Sequence, residues 1–411
     1  MGNRLKVLLS AYACEPGRGS EPEVGWRVAT QMAKHCDVWV ITRVNNREVI
    51  ERGLESLEGP KPEFLYFDFP RWVLRLKRWP GGVVWYYLFW QVADRFWFRR
   101  ELAEVDLVHH VTFNGVQFPG FWVGTDTPVL LGPLGGGMTC PPALLPMLGC
   151  RQFAEKFRNL VIRLLPILPW WKPVLVNASM VIAANRETAA LLQPHCAEAV
   201  PIMLETAIMP EAVLEDERSR PRRGRMTLLW LGNLIPRKAP ILAVRAVARA
   251  IEAGAEVELL IAGDGVERAH LVAAVKELKL EERVTLLGKI PKAEVPELMD
   301  RADAFLFTSV RDTSGNVILE AMSRGLPVIA LNHQGVREIC DQESALLVEV
   351  KSVEGTEKGL AEAICQLEAN EDLAEKIGVS ARKRLKTMHT WERLSERLLG
   401  YYQSLAAASR R

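Results

Sequence analysis

The sequence predicts an α/β fold in which two Rossmann-like domains face a central cleft. Three observations predict it. Short apolar strands alternate with helices along the chain, a charged stretch interrupts this alternation once before it restarts, and 411 residues are more than one hydrophobic core usually supports. Because ligands of open parallel sheets bind beyond the carboxyl ends of the strands, the candidate sites are the loops that follow the strands.

The first domain is expected over residues 1–205. Its apolar N-terminal run is too short for a signal peptide and is predicted to be the first of the strands at 6–11, 37–42, 63–68, 106–111, 128–132 and 180–184. A helix is predicted over 20–35, where Ser20 and Glu23 would form a capping box. Pro22 falls in the first turn of this helix, where its missing N–H costs nothing.

The second domain is expected over residues 226–385, after a linker at 206–225 whose later part is charged and poor in apolar residues. Its strands are predicted at 227–232, 256–263, 284–288, 304–309 and 327–331. Helices are predicted at 239–253, 266–279 and 293–302, and within 311–330. We expect residues 386–411 to form a helix that crosses back to the first domain.

Composition excludes several classes of function. A formal net charge of +2 gives no reason to expect nucleic acid as a partner. The seven cysteines include no Cys-x-x-Cys pair, so we expect reduced thiols in a cytoplasmic protein and no metal site. Neither half carries the dinucleotide-binding glycine fingerprint followed by an acid, which disfavours a Rossmann dehydrogenase.

The stretch "RDTSGNVILEAMSRGLPVIA" (311–330) places Asp312 and Glu320 around a predicted helix start. The free N–H groups of a helix N-terminus suit a phosphate. In the first turn or so of that helix, Glu320 could accept hydrogen bonds from vicinal hydroxyls such as those of a ribose, and Asp312 could reach hydroxyls at the other end of the ligand. Such a layout fits a nucleotide sugar. The alternative is that Glu320 favours the helix dipole and Asp312 makes an Asx-turn.

Two cations precede a helix in "LLWLGNLIPRKAP" (228–240). Arg237 and Lys238 can offset the charge of a diphosphate and stabilise it as a leaving group. The alternative for this pair is a solvated loop. The glycine turn in "IAGDG" (261–265) lacks the Gly-x-Gly-x-x-Gly pattern and is weak in isolation.

The ordered segments "GNLIPRKA", "IAGDG", "VTLLGKI", "AFLFTSVRDTSGNVILEAMSRGLPVIA" and "GVREI" resemble the donor half of family 4 glycosyltransferases, which have the GT-B fold. The resemblance covers roughly 226–350, and a weaker likeness extends over the first half through "GRGSEPEVGW", "DLVHHV" and "GPLGGG". It implies α-retaining transfer from a nucleotide diphosphate sugar, without a bound metal or other cofactor. The sequence holds no Asp-x-Asp pair, in agreement with that expectation.

The resemblance also implies roles for single residues of the second half. Lys238 matches the family lysine on the diphosphate, Glu320 matches the glutamate that holds the ribose, and Asp312 takes the place of a glutamate near the transferred sugar. Backbone contacts to the donor are implied at Ser314, Gly315, Asn316 and Val317, and to the base near Lys289 and Ile290. Two departures affect the donor's identity. Asp312 is one methylene shorter than glutamate, and the family's usual arginine after the first glycine is Asn233 here.

Two features of the first half are further candidates. The loop with Gly17 and Gly19 is either a phosphate-binding loop or a tight turn, and the resemblance implies that it faces the donor diphosphate. His109 and His110 end a strand, so only one of them is expected to enter the cleft. Each is either a packed histidine or, as the resemblance implies, a catalytic residue near the sugar, with His110 slightly preferred. The predicted catalytic residues are therefore His110, His109, Asp312 and Lys238.

Residues 71–102 contain five of the twelve tryptophans, at 72, 79, 85, 90 and 97, among arginines and lysines. This mixture suits a peripheral contact with anionic lipid headgroups, and "LPILPWWKPVL" (165–175) is similar. The alternative is that these aromatic residues pack a helical pair onto the first domain. The glycine-rich stretch 130–142 either lines the acceptor side or is a mobile loop.

The predicted function is that of a retaining glycosyltransferase. It would move a hexose from a UDP- or GDP-sugar to a glycan or lipid-linked acceptor in cell-surface polysaccharide assembly, in the cytoplasm or on the cytoplasmic face of the membrane. One alternative is a nucleotide-sugar-binding protein without transfer. Another is a GT-B epimerase or phosphorylase, although no local pattern indicates a lysine that would hold pyridoxal phosphate.

Overall fold

The computed structural model describes residues 4–79, 81–122, 124–214 and 224–409. The chain forms two compact units. The first runs to Gly137 and includes Ile162–Thr206 and the chain from Trp391 onward, whereas the second comprises Met138–Val161 and Ala207–Thr390. Residues 215–223, which form part of the predicted linker, lie outside the described residues.

The first unit is built on a six-stranded parallel sheet in the order β3-β2-β1-β4-β5-β6. Its strands are β1 Lys6–Ser10, β2 Asp37–Thr42, β3 Glu63–Tyr66, β4 Leu107–His110, β5 Val129–Leu134 and β6 Met180–Ala183. Its helices are α1 Ser20–Ala33, α2 Arg47–Glu55, α3 Arg71–Leu74, α4 Gly82–Trp97, α5 Arg99–Glu104, α7 Trp171–Asn177, α8 Arg186–Leu192 and α16 Trp391–Ser409. Helix α6, Gln152–Leu164, begins in the second unit and ends in the first.

The second unit repeats this topology, with the parallel order β12-β11-β10-β7-β8-β9. Its strands are β7 Met226–Leu231, β8 Val257–Ala262, β9 Val284–Gly288, β10 Ala304–Phe307, β11 Val328–Leu331 and β12 Ala345–Val348. Its helices are α9 Pro240–Glu252, α10 Arg268–Glu277, α11 Val295–Arg301, α12 Asn316–Ser323, α13 Gly335–Ile339, α14 Val353–Glu368 and α15 Glu371–Met388.

In both sheets the first and fourth strands are neighbours, so the strand order reverses between them. This pair is β1 and β4 in the first unit and β7 and β10 in the second. Loops that leave such a pair diverge to opposite faces and open a crevice at the carboxyl edge of the sheet. The fold therefore gives each unit one favoured ligand position, and the side chains there decide its chemistry.

Each sheet is a continuous apolar layer because helices cover both faces. In the second unit Leu228, Leu306 and Ile329, on three adjacent strands, are completely buried. The segment 138–161, which the sequence analysis placed in the first domain, contributes Leu144 and Leu148 to this same core. Burial of those leucines is the physical reason that the segment belongs to the second unit.

The predicted capping box at the start of α1 is wrong. Gly19 is the N-cap residue, no side chain caps the helix, and Ser20 has a left-handed φ of 52°. The Glu23 carboxylate instead accepts hydrogen bonds from the Gly17 N–H (2.5 Å) and from Arg27 Nε (2.7 Å). Glu23 therefore stabilises the glycine loop that precedes the helix.

Candidate functional site

Hydrogen bonds join the two loops at the switch point of the second unit. The Thr308 hydroxyl, just after β10, lies 3.1 Å from the Lys238 carbonyl and 2.9 Å from the Ala239 carbonyl, positioned to donate to both. Trp230 Nε1 on β7 donates to the same hydroxyl (3.0 Å). The Val310 N–H donates to the Arg237 carbonyl (2.8 Å). These contacts hold the Arg237–Lys238 turn against the end of β10.

The Lys238 ammonium forms an ion pair with the Asp312 carboxylate across this junction. Its Nζ also lies 5.3 Å from the centroid of the Phe307 ring. The two charged side chains retain 18% and 17% of their exposure, so the pair is sheltered but still open to a ligand. The Asp312 N–H donates to Gln334 Oε1 (2.9 Å), which fixes the backbone from which the carboxylate projects.

Helix α12 begins at Asn316, four residues after Asp312, and has no side-chain cap. Gly315 precedes it with a left-handed φ of 56°, a conformation that glycine adopts without strain. The Ser314 hydroxyl lies 3.2 Å from Asn316 Oδ1, to which it is positioned to donate. In an α-helix the first N–H groups have no helical acceptor, so the backbone at Asn316 and Val317 offers donors to an anion.

Glu320 is the fifth residue of α12 and lies at the start of its second turn, close to the position expected from the sequence. The helix begins at Asn316, directly after the left-handed Gly315. Burial raises the pKa of the Glu320 carboxyl, and the charge of Lys292 partly opposes that rise. Among the residues that the structure describes, Glu320 has no hydrogen-bond donor to its carboxylate. A carboxylate without a donor can accept hydrogen bonds from the hydroxyl groups of a ligand.

Two arginines that the sequence analysis did not identify, Arg311 and Arg158, lie near Arg237. Arg311 Nε lies 2.7 Å from Glu155 Oε1, and Arg158 Nη1 lies 3.7 Å from the same oxygen. Arg237 Nη1 donates to the Arg311 carbonyl (3.1 Å). The pKa of Arg158 is lowered to about 10, first by burial and then by the charge of Arg311. Two guanidinium groups therefore meet the single carboxylate of Glu155, and a third, that of Arg237, binds the adjacent Arg311 backbone.

Lys289 and Ile290 lie at the same edge of the sheet but not in this group. They follow β9, the edge strand, which is separated from β10 by β7 and β8. Three strand spacings correspond to about 14 Å. The Gly263 N–H donates to the Gly288 carbonyl (2.7 Å), which joins the loops after β8 and β9. A ligand that reaches both Glu320 and Lys289 would have to extend along this edge.

In the first unit, Gly17 and Gly19 lie in the loop that follows β1, with φ near 74° and 73°. A Cβ added to Gly17 would meet no atom within 4 Å, so crowding does not require glycine there. The Arg18 guanidinium donates to the Glu15 carboxylate (2.6 Å), which leaves the loop without an unpaired cation at that position. Whether this loop contacts a phosphate stays a prediction.

His109 and His110 are completely buried, and they point to opposite faces of the sheet. His109 contacts the Tyr402 hydroxyl (2.6 Å) and the Gly132 carbonyl (2.7 Å), and His110 contacts the Tyr87 hydroxyl (3.0 Å) and the Ser10 hydroxyl (3.2 Å). Burial lowers the pKa of His109 to about 4 and that of His110 to about 3, so both are neutral near pH 7. These contacts support the packed alternative, and a catalytic role for either histidine stays a prediction.

The glycine-rich stretch and the expected absence of a metal site were the other features considered in the sequence. Most of the glycine-rich stretch 130–142 is buried, and its first residues belong to β5. In the described ranges no group of three or more His, Cys, Asp or Glu side chains could hold a metal ion.

Comparison with known proteins relates the chain to glycosyltransferases. Residues 214–384 match the family described as "Glycosyl transferases group 1". Over 150 residues the chain is 34% identical to the 2-deoxystreptamine glucosyltransferase of Streptomyces kanamyceticus, and this match covers 36% of this chain and 36% of that protein. The matched segment is thus about a third of the relative's length.

Two solved structures are similar over nearly the whole chain. Sucrose-phosphate synthase from Thermosynechococcus elongatus has a TM-score of 0.63 and 18% identity, covering 98% of this chain and 100% of that one. Anabaena HepE, crystallised with UDP and glucose, has a TM-score of 0.61 and 16% identity, with the same coverage. At these identities the likeness concerns the fold alone. It confirms the predicted GT-B fold, and the family match supports a glycosyltransferase.

Proposed function

We propose that the chain is a retaining, family 4-like glycosyltransferase that moves a hexosyl group from a UDP- or GDP-sugar to a glycan or lipid-linked acceptor. One observation carries the proposal. The switch point of the second unit brings together a sheltered Lys238–Asp312 ion pair, the uncapped start of α12, and Glu320, whose carboxylate accepts no hydrogen bond from the described residues. A nucleotide sugar requires a cation and a helix start for its phosphates, and an acceptor for its hydroxyl groups.

In this proposal each end of the donor meets a different carboxylate. Hydroxyls of the ribose donate to Glu320, while the diphosphate accepts from the N–H groups at Asn316 and Val317. Hydroxyls of the transferred sugar donate to Asp312. Lys238 pairs with Asp312 in the present structure, so the lysine would shift part of its interaction to the phosphate when the donor binds.

The cations would act on the leaving group. When the bond between the anomeric carbon and the diphosphate oxygen breaks, its electron pair goes to that oxygen. Lys238 and the arginines would stabilise the negative charge that develops there. The acceptor hydroxyl then attacks from the same face, which preserves the anomeric configuration, and its proton passes to the leaving phosphate oxygen.

Arg311 and Arg158 offer a substitute for the family arginine that Asn233 replaces. With Arg237 and Lys238 they make four cations, and their contacting carboxylates are Glu155 and Asp312. The remaining two positive charges match the two negative charges of a diphosphate diester. We therefore assign the arginines to the donor's phosphates.

A nucleotide-sugar-binding protein without transfer is a second candidate. The observation in its favour is the Lys238–Asp312 ion pair itself, because it engages both predicted catalytic groups with each other. Release of nucleoside diphosphate in the presence of acceptor separates the two candidates, since only a transferase produces it on turnover.

The proposed setting is the assembly of cell-surface polysaccharide, in the cytoplasm or on the cytoplasmic face of a membrane. We propose no cofactor and no metal, with the nucleotide sugar as donor substrate. A lipid-linked acceptor would require the enzyme to work at a membrane surface.

The test is a thermal-shift screen of the purified chain against UDP, GDP and ADP and their sugars. A ligand at 100 times its Kd stabilises a protein by about 2.7 kcal/mol, which is a clear shift. We expect one nucleotide to stabilise the protein and its sugar to be consumed when acceptor is present. If no nucleotide shifts the transition, the proposed donor site is wrong.

A further inference from the structure

Helix α4 carries an apolar stripe on its solvent face. Trp85, Phe89 and Phe96 are 62%, 56% and 60% exposed, and Val92 lies between them and is also exposed. Their spacing of four, three and four residues puts all four on one side of the helix. Large aromatic residues of a soluble monomer are seldom left open in such a row, and larger exposed apolar patches mark interaction sites.

The opposite face of α4 anchors the helix to the first unit. Tyr86, Tyr87 and Trp90 are buried, and Trp90 Nε1 donates to the Phe67 carbonyl (2.9 Å). The sequence alternative of packed aromatics is therefore correct for this face and for Trp171, which is completely buried. Packing does not account for the outer stripe, because the buried residues on the opposite face already anchor the helix to the first unit.

Exposed tryptophans extend the surface beyond the helix. Trp72 and Trp79 lie just before α4, Trp97 lies at its end, and each is more than two-thirds exposed. Four of the five tryptophans in 71–102 therefore face solvent. Tryptophan suits the boundary between lipid headgroups and acyl chains because it is apolar but carries an N–H donor.

Most charged residues of the stretch 72–100 are cations, although Glu101 follows directly and Asp126 lines the same groove as Arg95 and Arg99. Between residues 72 and 100 the acidic residue is Asp94, which is completely buried. Burial holds the pKa of its carboxyl well above the usual range, so it contributes little negative charge. The same stretch contains the cations Arg75, Lys77, Arg78, Arg95, Arg99 and Arg100. This rim of cations beside the exposed aromatic residues complements an anionic lipid surface.

Helix α6 repeats the pattern and was missed at the sequence level. Phe153, Phe157, Leu160 and Leu164 are all exposed and have the same spacing of four, three and four residues. The acid of this helix, Glu155, turns inward to Arg311, whereas Lys156 and Arg163 are exposed. α6 is therefore a second amphipathic helix with an apolar, cation-flanked outer stripe.

Helices α4 and α6 resemble segments that lie on a membrane surface rather than segments that cross a membrane. No single helix in the described ranges is long and apolar enough to cross a membrane. One bent pair, Pro142–Ile167 with Trp171–Asn177, passes by length and composition only, with a bend of 61°. A helix with one apolar and one anchored face, rich in Trp and Arg, lies in the plane of the interface.

We propose that the outer stripe of α4, with Trp72, Trp79 and Trp97, binds the surface of a bilayer that contains anionic lipids. The outer stripe of α6 is a separate lipid-binding surface of the same character. The proposal deepens the membrane-side setting of the proposed enzyme and uses none of the donor-site residues. Aromatic insertion supplies the apolar contribution, and the arginine rim selects negative headgroups.

The test is flotation of the full chain, without donor, with vesicles of phosphatidylcholine alone or mixed with phosphatidylglycerol. We expect binding to the mixed vesicles that weakens at high salt, and little binding to phosphatidylcholine alone. A Trp85→Ser/Phe89→Ser variant should lower the bound fraction by about tenfold or more, and Phe153→Ser/Phe157→Ser should also lower it. Arg99→Glu/Arg100→Glu tests the rim and should abolish the preference for the anionic lipid.

Val272→Ser is the matched control, since Val272 is an exposed apolar residue on α10 of the second unit. It should bind vesicles like the wild type. All variants should show the wild-type unfolding transition, because the replaced side chains are exposed. Nucleotide thermal shifts on the same samples separate this proposal from the donor site.

Two outcomes would overturn the proposal. One is a wild-type chain that fails to float with the mixed vesicles while it still responds to nucleotide. The other is a chain that self-associates in solution through the stripe, so that Trp85→Ser/Phe89→Ser dissociates the oligomer and vesicle binding is absent. In that case the occupant would be a second copy.

Discussion

The switch points of the two units have the same strand order but opposite chemistry. In the first unit His109 and His110 end β4, and each ring nitrogen already has a hydrogen-bond partner within the fold. In the second unit Glu320 follows β10 without a donor among the described residues, and the adjacent helix start has no cap. The topology thus offers a ligand position twice, and unsatisfied polar groups distinguish the one that we assign to the donor.

The largest expected effect is on turnover and comes from Lys238 at the switch point of the second unit. Lys238→Ala should lower kcat by about 100- to 1,000-fold, the range for loss of one charge-stabilising group in a transition state. Steady-state release of nucleoside diphosphate measures it. Lys289→Ala is the matched control, because Lys289 is an exposed lysine at the same sheet edge and is assigned only backbone contacts. Equal losses in the two variants would contradict the assignment.

A substitution of Asp312 tests whether the two carboxylates have different roles, with Asp312 at the transferred sugar and Glu320 at the ribose. Asp312→Ala should lower turnover by about tenfold or more while nucleotide binding changes little, because Asp312 is assigned to sugar hydroxyls. Comparing kcat with the Kd of the nucleotide measures this split. Asp312→Glu restores the family's side chain and should keep activity or alter sugar preference. A loss of nucleotide binding in Asp312→Ala would instead indicate that its ion pair only orders Lys238.

The arginine group should have a smaller effect, mainly on binding. Arg311→Ala should weaken nucleotide binding by about tenfold, the loss expected for one charge-assisted contact. Titration calorimetry with the nucleoside diphosphate measures it. Glu155→Gln removes the inward partner and keeps the cations, so it should not weaken binding. If both variants weaken binding equally, the group only fixes α6 to the second unit.

Substitution of the histidines at the switch point of the first unit should change the stability of the fold rather than turnover. The folded pKa values of His109 and His110, about 4 and about 3, lie below the unfolded value of about 6.5. The unfolded chain therefore binds more protons below that value. The stability contribution is complete above pH 6.5 and declines as the pH falls toward 4, by up to about 1.4 kcal/mol per pH unit for each histidine.

Denaturant unfolding of His109→Gln and His110→Gln between pH 4 and pH 7 measures this slope. Each variant should be less stable than the wild type at pH 7 and should show a shallower pH dependence. Turnover should be retained where the variant is folded. A variant that keeps full stability and loses turnover would restore the catalytic role that the resemblance implies.

Much of this comparison follows from sequence patterns. The strands before both switch points, the helix after Gly315 and the Lys238 turn were predicted because apolar runs, glycine positions and charged loop residues are local signals. β12 was not predicted, although its apolar run is as long as that of β11. The capping box failed because Glu23 instead accepts a hydrogen bond from Gly17, six residues earlier.

What the sequence could not show depends on contacts between distant residues. Nothing near Glu155 indicates that 138–161 packs on the second unit and meets Arg311, 156 residues away. The hydrogen bonding of His109 likewise depends on Tyr402, which lies 293 residues away in the sequence. The exposed stripe of α6 has a visible helical period, but its period alone does not tell an outer face from a core face.

The most direct test of the central claim is equilibrium binding of the preferred nucleotide to two glutamate variants of the second unit. Glu320→Ala removes the acid assigned to the ribose, and Glu281→Ala replaces an exposed glutamate outside the site. The account predicts that Glu320→Ala loses about 100-fold or more in affinity, the loss of two hydrogen bonds to a charged group, while Glu281→Ala binds like the wild type. Wild-type affinity in a folded Glu320→Ala variant would contradict it.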